Sequence, residues 1–154
     1  NDTMTAPSPG PIVLWLSSRY ENIELAQAAL AHVCRQRSID SEMEHWIGMA
    51  LREAVATAVK HGNRLDPDKR VLLKFEGAGD DLTIVIGDEG GGFDPERVSD
   101  PLAPENQMKT SGRGIFYIRT FMDDVAFSRG EAGGTVLTMR KDLNKRGNAK
   151  GENA

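Results

Sequence analysis

The stretch 81–93, Asp-Leu-Thr-Ile-Val-Ile-Gly-Asp-Glu-Gly-Gly-Gly-Phe, constrains this chain more than any other. Leu82, Ile84 and Ile86 alternate with Thr83 and Val85, and branched side chains at period two fill a pleated, half-buried surface. The apolar run stops at Asp88, so an acid is left at the tip of the strand. Gly90, Gly91 and Gly92 follow. Glycine lets another group approach the backbone closely, so this arrangement reads either as a floor for a ligand or as a plain turn.

The elements around it define an α/β chain. Ile12 to Leu16 is a short apolar run after Pro11 and suits a strand. From about Tyr20 to Arg37, Ile23, Ala26, Leu30 and Val33 recur at helical spacing. A second helix is expected over about Glu42 to His61, with Asp40 or Ser41 as its N-cap. Its apolar face is Ile47, Ala50, Leu51, Ala54 and Ala58, and Glu53 and Thr57 share its polar edge, with Lys60 and His61 one turn on. Such a stripe is either a solvated face or part of a site. Gly62 and Asn63 stop the helix.

Val71 to Glu76, the connection Gly77 to Asp80 and the strand from Asp81 read as a hairpin. Residues 100–107 carry two prolines and neither period, and long loops of this kind tend to be lids or binding segments. Ser111-Gly112-Arg113-Gly114 then opens a helical pattern at Ile115, Ile118 and Met122. Backbone N–H groups at such a helix start favour phosphate. Val125 to Phe127 and Val136 to Met139 are the last two strands.

Composition excludes several classes. A net charge of -4 argues against a general nucleic-acid binder. Cys34 is the single cysteine, which leaves no intramolecular disulfide, and its apolar surroundings assign it to packing. No run approaches the roughly 20 apolar residues of a membrane span, and no charged segment followed by an apolar one opens the chain, so a cytoplasmic setting is expected. The dinucleotide fingerprint fails because Tyr117 stands at the third glycine, Lys109-Thr110 lacks a preceding glycine loop, and His32, His45 and His61 form no His-Glu-x-x-His pair.

Four boxes in order carry a resemblance: Glu53-x-x-x-Thr57-Ala58 on a helix, Asp88-x-Gly90-x-Gly92 after a strand, Gly112-x-Gly114 after the loop, and Gly134-Thr135 before the last strand. They resemble the nucleotide-binding boxes of GHKL-type ATPases, and the short chain most resembles the anti-sigma factor serine/threonine kinases of the RsbW type. The resemblance implies a two-layer α/β sandwich of the histidine-kinase-like ATPase type. Its sheet would be mixed and mainly antiparallel with helices on one face, forming one domain over 11–141 between flexible termini, 1–10 and 142–154. It implies ATP and Mg²⁺ as cofactors. Asp88 would accept from the adenine amino group, with Gly90 and Gly92 admitting the base and Thr135 supporting that contact. Gly112, Arg113 and Gly114 would meet the phosphates, with Lys109 and Arg113 as nearby charges. Glu53 would orient or deprotonate a protein serine. The implied partners are a sigma factor, a STAS-type anti-anti-sigma factor and a second copy of the chain, with no direct nucleic acid and no membrane.

The chain departs from that pattern at Thr57, where the family has the asparagine that ligates Mg²⁺. A hydroxyl can serve magnesium but reaches less far. Two functions therefore stay open: a kinase that also sequesters the sigma factor, or a nucleotide-gated binding module without transfer. A sensor kinase domain is a third reading, set against the short loop and the absence of an upstream phosphoaccepting helix pair from the sequence given.

Overall fold

The computed structural model describes residues 10–91, 114–131 and 133–144. In order these form β1 (Ile12–Ser17), α1 (Glu21–Gln36), α2 (Ser41–Thr57), a π-helical turn (Ala58–Gly62), β2 (Arg70–Glu76), β3 (Asp81–Gly87), α3 (Gly114–Phe121), β4 (Asp124–Arg129) and β5 (Thr135–Asp142). Gly92, Lys109, Gly112 and Arg113 lie outside the described residues, as do the expected lid and both expected flexible termini apart from residues 10 and 142–144.

The five strands form one sheet in the order β1-β2-β3-β5-β4. Among the described residues every pairing is antiparallel, which corrects the expectation of a mixed sheet. Two helices separate β1 from β2, so the chain returns reversed and the strands pair antiparallel. β3 and β4 do run the same way, but β5 sits between them. The parallel pair that would make the sheet mixed is thereby avoided.

Period-two burial runs through the central strands. Leu73 faces Ile86, Phe75 faces Ile84, and Ile84 in turn faces Met139, and all of these are buried. They pack against Ile23, Ala26, Leu30 and Val33 of α1, Ile47, Leu51 and Val55 of α2, and Ile118 of α3. Each large side chain so buried contributes roughly 1.5–3 kcal/mol. The helices thus cover one face, while Val13 and Trp15 stay about half exposed on the alternate face of the edge strand β1. Cys34 is buried in this core, where loss of solvent pushes its thiol up to about 12, with Glu44 adding to the rise. It packs and does not react at neutral pH.

Asp40 caps α2 by accepting from the Met43 amide at 2.8 Å, as expected. The other end departs from the single long helix expected there. Asn63 N donates to Ala58 O at 2.8 Å, the i to i−5 bond of a π turn, a form that often occurs at functional sites. The wider turn breaks the expected stripe: Lys60 is exposed, whereas His61 is half-buried. Arg64 and Leu65, both at positive φ (54° and 59°), then turn the chain towards β2.

Candidate functional site

β3 carries Asp88 out of the sheet, and β5 fixes it there. Asp88 N donates to Thr135 O at 2.9 Å, and Asp88 Oδ1 accepts from Thr135 N at 3.1 Å and Gly90 N at 2.9 Å. Thr135 therefore meets Asp88 through its main chain. Both bonds to the carboxylate end on Oδ1, and among the described residues no hydrogen bond reaches Oδ2. Burial raises the Asp88 carboxyl above the ordinary carboxylate range, opposed by the two amides and by the charge of Lys69. A buried acid with one committed and one available oxygen is a discriminating acceptor for a ligand N–H.

The glycines around it are required by space. A Cβ at Gly62 would strike the Asp88 carboxylate, one at Gly90 would strike Gly62 O, and one at Gly134 would strike Asp88 O. Gly134 also has φ +80°, which L side chains rarely adopt. Main chain from the end of α2, from the loop after β3 and from the start of β5 thus closes on one carboxylate. Gly62 joins this group although the sequence marked it only as a helix stop. The contact is made across 26 positions, which no local pattern encodes.

Glu53 and Thr57 lie back along α2 from Gly62. Four residues apart on the α-helix, they are separated by about 6 Å along its axis, with Thr57 the nearer to the Asp88 end. Both are half-buried, and among the described residues no hydrogen bond or ion pair reaches either side chain. Their polar groups are thus free to meet a ligand. His61 has its Nε2 buried without a hydrogen-bond partner, and burial, followed by the charge of Lys60, lowers its pKa.

Gly114 is the buried first residue of α3. That helix is set against α2 by stacking of Phe121 on Trp46, with centroids 4.7 Å apart and planes at 29°. Among the described residues no group of three or more His, Cys, Asp or Glu could hold a metal ion.

The histidine kinase-like ATPase domain family matches residues 16–141, which takes in both Asp88 with its main-chain partners and the α2 edge. The chain belongs to that family. Among individual proteins, it is 26% identical over 141 residues to the serine-protein kinase RsbW of Listeria innocua serovar 6a, covering 88% of each chain. It is 28% identical over 129 residues to the anti-sigma F factor of Clostridium perfringens strain SM101, covering 82% of this chain and 92% of that one. The catalytic domain of the histidine kinase ThkA aligns over 86% of this chain with a TM-score of 0.48 and 11% identity. As a histidine kinase-like ATPase domain, the chain has Asp88, Gly90 and Thr135 together in one cradle and Glu53 and Thr57 along the adjoining helix.

Proposed function

We propose that this chain is an ATP-dependent serine-protein kinase and anti-sigma factor, acting in the cytoplasm on a STAS-type anti-anti-sigma factor and sequestering a sigma factor. The observation that carries the nucleotide reading is the Asp88 carboxylate, tied at Oδ1 by two main-chain amides, with Oδ2 beside Gly62 and unbonded among the described residues. The names of the relatives support the choice of partners. No helix among the described residues is long and apolar enough to cross a membrane.

In this reading Asp88 accepts from the adenine amino group, and the phosphates run along α2 towards Thr57 and Glu53. The Glu53 carboxylate takes the proton of the substrate serine as the serine oxygen bonds to the γ-phosphorus and the bond to ADP breaks. Gly112, Arg113, Gly114 and Lys109 are assigned to the phosphates on the sequence pattern. The donor set fits Mg²⁺ held chiefly by nucleotide oxygens, because Thr57 offers one neutral, unbonded hydroxyl. When bound, the ion would neutralise phosphate charge.

Thr57 decides between this reading and a nucleotide-gated binding module without transfer. Thr57→Asn supplies an amide oxygen that reaches further from the same helical edge. If the threonine is a poor ligand, the variant will tighten Mg-ATP relative to metal-free ATP a few-fold and raise transfer to the partner serine more strongly, as titration with and without Mg²⁺ and radiolabel transfer will measure. Wild-type transfer at least as fast as that of Thr57→Asn removes the binding-module reading.

A homodimer belongs to the proposal. β1 is an edge strand whose Val13 and Trp15 are 48% and 52% exposed, and open edges carrying apolar side chains invite pairing. Sedimentation should find a dimer, and a monomer at high concentration would remove this part.

A further inference from the structure

We propose that Asn63 is a positioning residue for nucleotide recognition, clamping the turn that carries Asp88 to the first two strands. The inference rests on Asp88 reading the base. Asn63 is 1% exposed. Its Nδ2 donates to Ser18 Oγ at 2.8 Å and to Arg70 O at 2.9 Å, and its Oδ1 accepts from Glu89 N at 2.7 Å. Its own main chain is held as well, N to Ala58 O at 2.8 Å and O from Asp66 N at 3.0 Å. A short, planar group with donors on one side and an acceptor on the other is needed here, and asparagine alone combines these at that length.

The amide it grips is the Glu89 N–H, in the peptide between Asp88 and Glu89. Glu89 is also held through its side chain, which accepts from Arg70 N at 2.6 Å and from the Arg70 guanidinium at 3.2 Å. The Asp88–Glu89 peptide, which leads to the Gly90 amide bonded to the carboxylate, is therefore held in place while Asn63 stays bonded. Without the Asn63 oxygen, the Glu89 N–H must swing out to find water. The neighbouring Gly90 amide would shift with it, and the Asp88 carboxylate, left with the Thr135 amide alone on Oδ1, would turn Oδ2 away from its place beside Gly62.

The test compares Asn63→Ala with Ser18→Ala. Ser18 Oγ donates to Lys69 O at 2.6 Å and accepts from Asn63, so its loss weakens the same buried network without touching Glu89. ADP and GDP affinities are measured by calorimetry and amide exchange on the nucleotide-free protein. Asn63→Ala should speed exchange at Glu89 and Gly90 and weaken ADP roughly tenfold, as befits one part-buried donor left unpaired. GDP should weaken less, so the preference for ADP shrinks. Ser18→Ala should melt at lower temperature yet keep wild-type exchange at Glu89 and wild-type preference. Equal effects of the two variants on preference, or unchanged Glu89 exchange in Asn63→Ala, overturn the proposal.

If Asn63→Ala does not fold, Asn63→Asp decides. It keeps an oxygen for Glu89 N and loses the donors, so preference should persist, and its loss with Glu89 still protected overturns the proposal. Asp88→Asn is measured alongside. If it leaves the preference intact, the base reading has failed, and Asn63 is then judged on Glu89 exchange and ADP affinity, both of which must change.

Discussion

Glu53→Ala will leave ADP affinity near the wild-type value and cut phosphoryl transfer to a partner serine by about 10²- to 10⁴-fold, the usual contribution of a positioned general base. Binding should survive because Glu53 makes no hydrogen bond or ion pair among the described residues and lies on the half-buried edge of α2, so its removal opens no cavity in the core. Single-turnover transfer from labelled ATP, with calorimetry for ADP, separates the two effects. A variant that transfers at the wild-type rate would take Glu53 out of the mechanism. One that loses ADP and transfer together would make the residue part of the binding site instead.

Asp88→Asn should stabilise the empty protein and weaken the nucleotide. Burial raises the Asp88 carboxyl above its ordinary value, so folding favours the protonated form. The stability tied to that proton is complete below the unfolded-state value and is lost as pH rises through the folded-state one. Above the folded-state value the wild type bears the whole cost. Asparagine keeps an oxygen for the Gly90 and Thr135 amides without a charge, so the variant should melt higher at pH 7, with the gap closing on acidification towards the ordinary carboxylate range. ADP should weaken by about 1–3 kcal/mol, and GDP by less, because only adenine offers an amino group at that edge. A variant less stable than wild type at pH 7 would contradict the electrostatic account, and equal losses for ADP and GDP would show that Asp88 does not read the base.

Much of this was legible because it is local. The Asp88 strand, the hairpin joining it to β2, the Asp40 cap and the edge shared by Glu53 and Thr57 follow from periods of two and 3.6 and from side chains that bond near neighbours. The grouping of Asp88 with Thr135 came through family resemblance, and the structure adds that main chain makes the contact. What stayed hidden is non-local. Alternation announces a strand but not its neighbours, so the place of β5 between β3 and β4, and with it the all-antiparallel sheet, could not be read. The π turn has no composition of its own, and it removes Lys60 from the expected stripe. Gly62 and Asn63 looked like punctuation because their partners, Asp88 and Glu89, lie 26 residues away.

The insertion of β5 between β3 and β4 also sets a clock on synthesis. Thr135, which fixes Asp88, follows it by 47 residues. At 5–20 residues per second a ribosome needs roughly 2 to 9 s to deliver that interval. Until then β3 has β2 on one side and on the other a bare edge of unpaired backbone N–H and C=O groups. Any stabilisation drawn from nucleotide arrives only once the last strand has closed the sheet. A nascent chain stalled before Thr135 should therefore be open to chaperones and proteases, while a released one can be rescued by ligand at once.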